Sequence, residues 1–368
     1  MQVTLSREKI LKPLQMVLGV ADKKHTMTIL TCLLCEAKDN KFKVTASDLE
    51  TEIVSEIDVI SINEPGLVAI PAKKMVDIIK SLPLESEVEL KSEGKNRMIL
   101  TSNKSRFVLS ILEPDSFPTM ESDISSNCFE LSQNILLDVI KKVQFSMAHN
   151  DVRYFLNGML WEIDKNIFRS VSTDGHRMSM VETKINEVDF DKAQIIIPRK
   201  SISEIQKLIE PIEETIKIEI GTHHFRLVAK NTTFTSKLID GRYPDYTRVL
   251  PTSNNKILVA NKNDLKLSLT RTAILSNEKY RGVRFNIEQG LLKLSANNPE
   301  QEEAQDEISV EYQDLPMEIG FNVSYLLEVI SVIESDKVYL CFSDPKMSLL
   351  IKEDGKYSSQ FVIMPIRL

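Results

Sequence analysis

An α+β architecture written three times, each copy two helices packed on antiparallel sheet, is predicted by this 368-residue chain. The first observation behind it is a strand-then-helix segment, Ala69–Lys80, that returns as Ile196–Lys207 and more faintly as Gly320–Ser331. The copies are therefore roughly 123 to 127 residues apart, and a repeat of that size is a whole domain. The second observation is a helical apolar period followed by a period-two stretch in each third. The third is that copies end alike, Phe117–Pro118 matching Tyr243–Pro244. Boundaries drawn accordingly give domains 1–125, 126–253 and 254–368.

The first copy opens with a helix that carries Ile10, Leu11, Leu14, Val17 and Leu18 on one face and Arg7, Glu8, Lys12 and Gln15 on the other. Leu136, Leu137, Ile140 and Val143 repeat that stripe, and Leu265, Leu269 and Ala273 keep a thinner one. Ser6 and Ser132 stand where N-caps belong, with Leu5 and Leu131 placed as staples; Asn261, Asn263 and Asp264 are the third copy's cap candidates. Phe42–Ala46 and Phe168–Ser172 then alternate as half-buried strands do. Their hairpin tips hold Asp48 and Asp174, and the third copy has Asn297–Asn298–Pro299 there. A second helix buries Met75, Ile78, Ile79 and Leu82, then Ile202, Ile205 and Ile209, then Leu326, Val329, Ile330 and Ile333. At the end of the sequence, Phe361–Ile363 reads as a last strand. Pro365 cannot donate to a ladder, so the final four residues should leave the sheet and expose Met364, Ile366 and Leu368 as an apolar patch for a partner.

At 42% hydrophobic and 27% charged residues, the chain has the composition of a soluble globular protein. No apolar run is long enough to cross a membrane, and Met1–Lys12 lacks a signal core, so a cytoplasmic location is expected, with no membrane contact. Four cysteines include the pair Cys32 and Cys35, but no second ligand pair at zinc spacing accompanies them; free, mostly buried thiols are expected. A net charge of -7 argues against a simple nucleic-acid binder, so any DNA contact must come from a local basic stripe.

Catalytic signatures are missing: no phosphate-cradling glycine loop, no H-E-x-x-H helix. Ser172, Asp174 and His176 alternate along an extended segment, which sets them in a row rather than a triad. Asp189–Phe190–Asp191 and the acidic run Glu300–Glu307 read as solvated turns, so no catalytic residue, metal or cofactor is expected. A hydrolase built on His176, Asp174 and Asp245 is the competing class, and a scaffold that binds only proteins is another. The basic residues are better organised. Lys12, Lys73, Lys74 and Lys80 lie on the polar helix faces of the first copy, and Lys141, Lys142, Arg199, Lys200 and Lys207 on those of the second. Lys73 matches Lys200 and Lys80 matches Lys207; the third copy has Ser324 and Ser331 there, although its first helix carries Lys262, Lys266 and Arg271. With few aromatics between them, these charges suit phosphate contact without base reading.

Six segments resemble one family, the bacterial sliding clamps that are the beta subunit of DNA polymerase III. They are Leu11–Gln15, Asp151–Gly158, Thr173–Arg177, Asp240–Tyr246, Ser276–Arg284 and Met364–Leu368, and the likeness spans the whole chain. The resemblance implies a non-enzymatic, head-to-tail homodimeric ring that encircles double-stranded DNA without sequence specificity, with an acidic outer surface. It also implies loading by a clamp loader ATPase and the tethering of DNA polymerases and repair proteins through short motifs of glutamine, leucine and aromatic residues. Carried over by position, the peptide pocket would comprise Leu156, Thr173, Gly175, His176, Arg177 and Met178, with Pro244, Arg248, Val249 and Ser348, and with Val362, Met364, Pro365 and Leu368. For DNA the resemblance adds Lys24, Asn150, Arg153 and Tyr154; Phe155 stands where the family often has a second tyrosine. For the seam it pairs Phe107 of one chain with Ile274 and Leu275 of the other.

Overall fold

A computed structural model describes residues 1–21, 27–120, 124–251 and 254–367. Among the described residues the six α-helices are α1 (Arg7–Leu18), α2 (Ala72–Ser81), α3 (Gln133–Val143), α4 (Arg199–Leu208), α5 (Lys262–Ala273) and α6 (Val323–Val332), two for each repeat. Their apolar stripes face inward as the period demands: Ile10, Leu14, Val17, Leu136, Ile140, Val143, Leu265 and Leu269 are all fully buried.

The capping serines are a correction. Ser6 makes no side-chain cap bond, and its hydroxyl donates to Glu8 Oε2 at 3.3 Å. The Ser132 hydroxyl donates to Glu213 Oε2 at 3.1 Å. The orphan N–H at the head of these helices is instead taken by a distant backbone carbonyl. Arg7 N donates to Ser86 O at 3.0 Å, Gln133 N to Glu214 O at 3.0 Å and Lys262 N to Asp336 O at 2.8 Å. Each acceptor lies just after its repeat's second helix, so the two helices of a copy are tied through the main chain. In the third copy Asn261 does cap, accepting from Asn263 N and Asp264 N.

The chain divides into two compact units, Met1–Asn134 with Lys200–Leu238 and Ile135–Arg199 with Ile239–Leu368. The first holds a five-stranded sheet that ends on Ser105–Ser110 and an eight-stranded sheet from Ile124–Ser132 to Gly66–Pro71. The second holds an eight-stranded sheet from Ala193–Pro198 to Lys256–Asn261 and a four-stranded sheet that ends on Glu303–Ser309. All pairings are antiparallel, which lets short hairpins connect them.

Both eight-stranded sheets are fused from two repeats by one rule. The last strand of a repeat pairs with the strand after the hairpin tip of the repeat before it: Thr232–Lys237 with Thr51–Asp58, and Ser358–Ile363 with Arg177–Lys184. Two strands are left over by that rule, Ser105–Ser110 of the first repeat and Glu303–Ser309 of the third. Each is one of the two outer strands of its sheet, opposite Ser61–Glu64 in the five-stranded sheet and Met317–Asn322 in the four-stranded one.

The hairpin tips are built alike. Asp48 Oδ1 accepts from Glu50 N at 2.9 Å and Thr51 N at 2.6 Å; Asp174 Oδ1 accepts from His176 N at 2.8 Å and Arg177 N at 3.0 Å; Asn298 Oδ1 accepts from Glu302 N at 2.9 Å. These are turns closed by an Asp or Asn side chain on its own backbone. The last strand runs Ser358–Ile363, and Met364 is 41% exposed beyond it. Ile366 departs from expectation, because its N–H donates to Gly320 O at 2.9 Å and bridges back to a sheet edge.

Candidate functional site

In the second unit the eight-stranded sheet is apolar on both faces, and period-two alternation sorts the residues. Phe361 and Ile363, Leu349 and Ile351, and Leu340 and Phe342 enter the core beneath α5 and α6. Their neighbours Val362, Leu350 and Cys341 point the other way, into a second apolar cluster with Leu156, Leu160, Val171, Met178 and Met180. Register aligns part of this cluster as one row across four strands: Met178 opposite Val362, Val362 opposite Leu350, Leu350 opposite Cys341. A sheet face turned to water would be polar, so this row is a buried apolar floor beneath the segments that cross it rather than a solvated surface.

Three chain segments rim that floor. The 3₁₀ turn Tyr154–Asn157 drops Leu156 into the cluster, 2% exposed. The turn Thr173–Arg177 is closed by Asp174 and by Thr173 Oγ1, which accepts from Gly175 N at 3.1 Å and donates to Arg177 O at 2.6 Å. Gly175 takes φ +90, a conformation that favours glycine, and an added Cβ would press on the end of the Arg153 side chain at 3.0 Å. Met364 N reaches the same turn, donating to His176 O at 2.9 Å. The third segment, Ile239–Leu250, packs Ile239, Tyr243, Tyr246 and Leu250 on the cluster, and the Tyr243 hydroxyl accepts from Thr173 N at 3.1 Å. Pro244, Arg248 and Val249 lie on this segment and are exposed; Ser348 and Pro365 are half-buried.

The residues carried over for the pocket thus divide by depth. Leu156, Met178 and Val362 are floor, buried to within 2%. Thr173, Gly175, His176, Met364, Pro365, Pro244, Arg248, Val249 and Ser348 reach solvent at the rim. Arg177 is a correction: its guanidinium is turned away and engaged by Asp174, Glu328, the Phe145 carbonyl and the faces of Phe145 and Tyr325. It can shape the turn but its charge is not free for a ligand. Leu368 lies outside the described residues. Of the hydrolase candidates, His176 is exposed, Asp174 holds its own turn and Asp245 accepts from Thr247 N and Thr247 Oγ1; Ser172, which alternates with Asp174 and His176 in the sequence, is buried and its hydroxyl donates to Val143 O.

The basic residues divide as well. Lys12, Lys73, Lys74, Lys80, Lys141, Lys200 and Lys207 are exposed on helices. Lys12 pairs with Glu210, Lys207 with Glu204 at 2.7 Å, and Lys200 with the buried Asp48. Lys142 is contradicted as a DNA-facing residue. It is 2% exposed and bonded to Glu353 at 2.5 Å and to the Val332 carbonyl at 3.3 Å, because its position on α3 turns it under the helix rather than outward. Arg199 is half-buried, donating to the carbonyls of Met147 and Ala148, and burial together with nearby Arg177 lowers its pKa. Arg153 forks onto Asp151, whose carboxyl this guanidinium pulls down to about 2, and Tyr154 and Asn150 stand exposed beside it. Lys24 lies outside the described residues. At the expected seam, Ile274 is 75% exposed while Phe107 and Leu275 are half-buried.

One constellation was not legible as functional. Glu162, 1% exposed, accepts from the Tyr246 hydroxyl at 2.9 Å, from Lys192 Nζ at 2.8 Å and from Gln194 and Arg169. Burial alone would raise its pKa, yet these donors hold it below the ordinary carboxylate value. The available signal was a glutamate between the apolar residues Met159, Leu160 and Trp161 and Ile163 of the strand Gly158–Asp164.

Models of the DNA polymerase III beta subunit match in three parts: the N-terminal domain over residues 1–121, the central domain over 130–245 and the C-terminal domain over 247–367. The beta sliding clamp of Pseudomonas putida is 44% identical over 368 residues, covering all of both chains. A crystal structure of the DNA polymerase III subunit beta from Pseudomonas aeruginosa superposes with a TM-score of 0.97 at 43% identity, again over the full length of both. The sliding clamp of that organism bound to griselimycin matches equally, at TM-score 0.97 and 43% identity over the full length of both.

Proposed function

The chain belongs to the DNA polymerase III beta-subunit family, the beta sliding clamps, and from that premise we propose that it works as a head-to-tail homodimeric ring around duplex DNA. The observation that carries the ring is the pair of leftover strands. Two junctions along the chain are made by fusing sheets under one rule, and the same rule applied once more joins Ser105–Ser110 of one copy to Glu303–Ser309 of another. Head-to-tail contacts close into a ring when the rotation from copy to copy closes and grow into filaments when it does not, and the closed two-copy ring is the arrangement proposed here. Charge favours the match, since Lys104 and Arg106 flank one edge and Glu303 and Glu307 the other, Asp306 being held by Arg271 of its own chain. Val108, 46% exposed, and Ile274 supply apolar surface beside Phe107 and Leu275. In this reading the domains are 1–125, 126–253 and 254–368.

Function is then topological and not enzymatic. Exposed Lys12, Lys73, Lys74, Lys80, Lys141, Lys200 and Lys207 attract phosphates without gripping a sequence, so the ring slides. The apolar floor and its rim hold short peptide motifs of polymerases, repair proteins and the ATPase that loads the ring, all in the cytoplasm. Alanine at both Ile274 and Leu275 tests the seam: sedimentation should then report monomers where the unaltered chain gives dimers. A dimer mass unchanged by the double substitution would remove these residues from the seam.

A further inference from the structure

The segment Asp240–Tyr246 stands out in the sequence without a role of its own, and the structure supplies one. Polar residues form a second cross-strand row on the same face of the sheet. Gln194 is opposite Glu162, Glu162 opposite Arg169, and Arg169 opposite Glu182. Arg169 is held by Glu162 on one side and by Glu182 on the other, with Nε to Glu182 Oε2 at 2.9 Å. The Tyr246 hydroxyl sits on this row, donating to Glu162 Oε1 at 2.9 Å and accepting from Arg169 Nη1 at 3.2 Å. Three residues earlier, the Tyr243 hydroxyl accepts from Thr173 N on the turn that rims the apolar floor. Both rings are buried, 7% and 6% exposed. The crossing segment is therefore pinned at two points, with Pro244 between them and Arg248 and Val249 just beyond the second.

We infer that Tyr246, oriented by the buried Glu162–Arg169 pair, and Tyr243 are positioning residues that fix the wall Pro244–Val249 of the peptide pocket. The inference rests on the reading of this face as a peptide site. A hydrogen bond between a tyrosine and a buried carboxylate is directional, and a wall held this way meets a ligand already ordered.

The test uses the full-length protein and a synthetic peptide with a glutamine and spaced leucine and aromatic anchors, its affinity read by fluorescence anisotropy. Tyr246→Phe keeps the ring in the core and deletes only the hydroxyl. It should weaken binding roughly tenfold, the size expected for losing a hydrogen bond to a charged group. Glu162→Gln should weaken it in the same direction. Tyr312→Phe is the control, because Tyr312 is equally buried and its hydroxyl donates to the Leu315 carbonyl at 2.7 Å in the same unit, away from the crossing segment. Its affinity should match that of the unaltered chain even where its melting temperature falls. Unchanged affinity in Tyr246→Phe, or equal loss in Tyr246→Phe and Tyr312→Phe, overturns the positioning role. No binding by the unaltered protein would instead overturn the pocket reading, and this inference with it.

Discussion

Lys142 and Asp48 show how much a side chain's neighbours decide. Lys142 and Glu353 are 3% and 1% exposed, so removing one partner strands a buried charge. Lys142→Ala should cost about 3–5 kcal/mol in denaturant unfolding; a loss below 1 kcal/mol would mean that water reaches the site. Asp48 is held below its ordinary pKa of 3.8: burial pushes upward, but Lys200 and the backbone N–H groups of Thr51 and Glu50 outweigh it. A depressed pKa stabilises the fold above 3.8 and loses that contribution as pH falls through the folded value. The stability gap between the unaltered chain and Asp48→Asn should therefore be constant at neutral pH and close in acid. A gap that does not narrow at all as pH falls below 3.8 would contradict this. The sequence placed Lys142 among surface charges because position on a helix face does not reveal a partner more than two hundred residues away, as its distance in sequence of 211 from Glu353 illustrates. It read Asp48, Asp174 and Asn298 correctly as tips because that chemistry is local.

Helices and strands followed the same division. Apolar periods located all six helices, since each buries one stripe and the stripe is written in consecutive turns. Capping by distant carbonyls was invisible, because Ser86, Glu214 and Asp336 reach the helix heads only after the chain has folded. The fused sheets were equally hidden: Thr232–Lys237 pairs with Thr51–Asp58 across a separation no period records. Of the candidate site, the rim turns at Asp174 and Pro244 could be named through family resemblance, whereas the buried row Gln194, Glu162, Arg169, Glu182 required the register. If the edges Ser105–Ser110 and Glu303–Ser309 pair between copies, reversing charge at Arg106 to Glu should shift the dimer toward monomer in sedimentation. Adding Glu303→Lys on the other edge should partly restore it, and no response to either change would count against this pairing.

With a net charge of -7, the chain's proposed hold on DNA would rest on geometry more than on affinity. Its attraction to short linear duplexes should fall steeply as salt rises, while peptide docking on the apolar floor should change little. Parallel loss of both would argue for one shared electrostatic surface. The most direct measurement is retention on DNA: the protein is assembled on nicked circular plasmid with a clamp loader and ATP, freed of unbound protein by gel filtration, and half of the sample is cut with a restriction enzyme. A closed ring that slides should stay on the circles and run off the linear product. Equal retention on circular and linear DNA would contradict topological linkage and leave ordinary surface binding in its place.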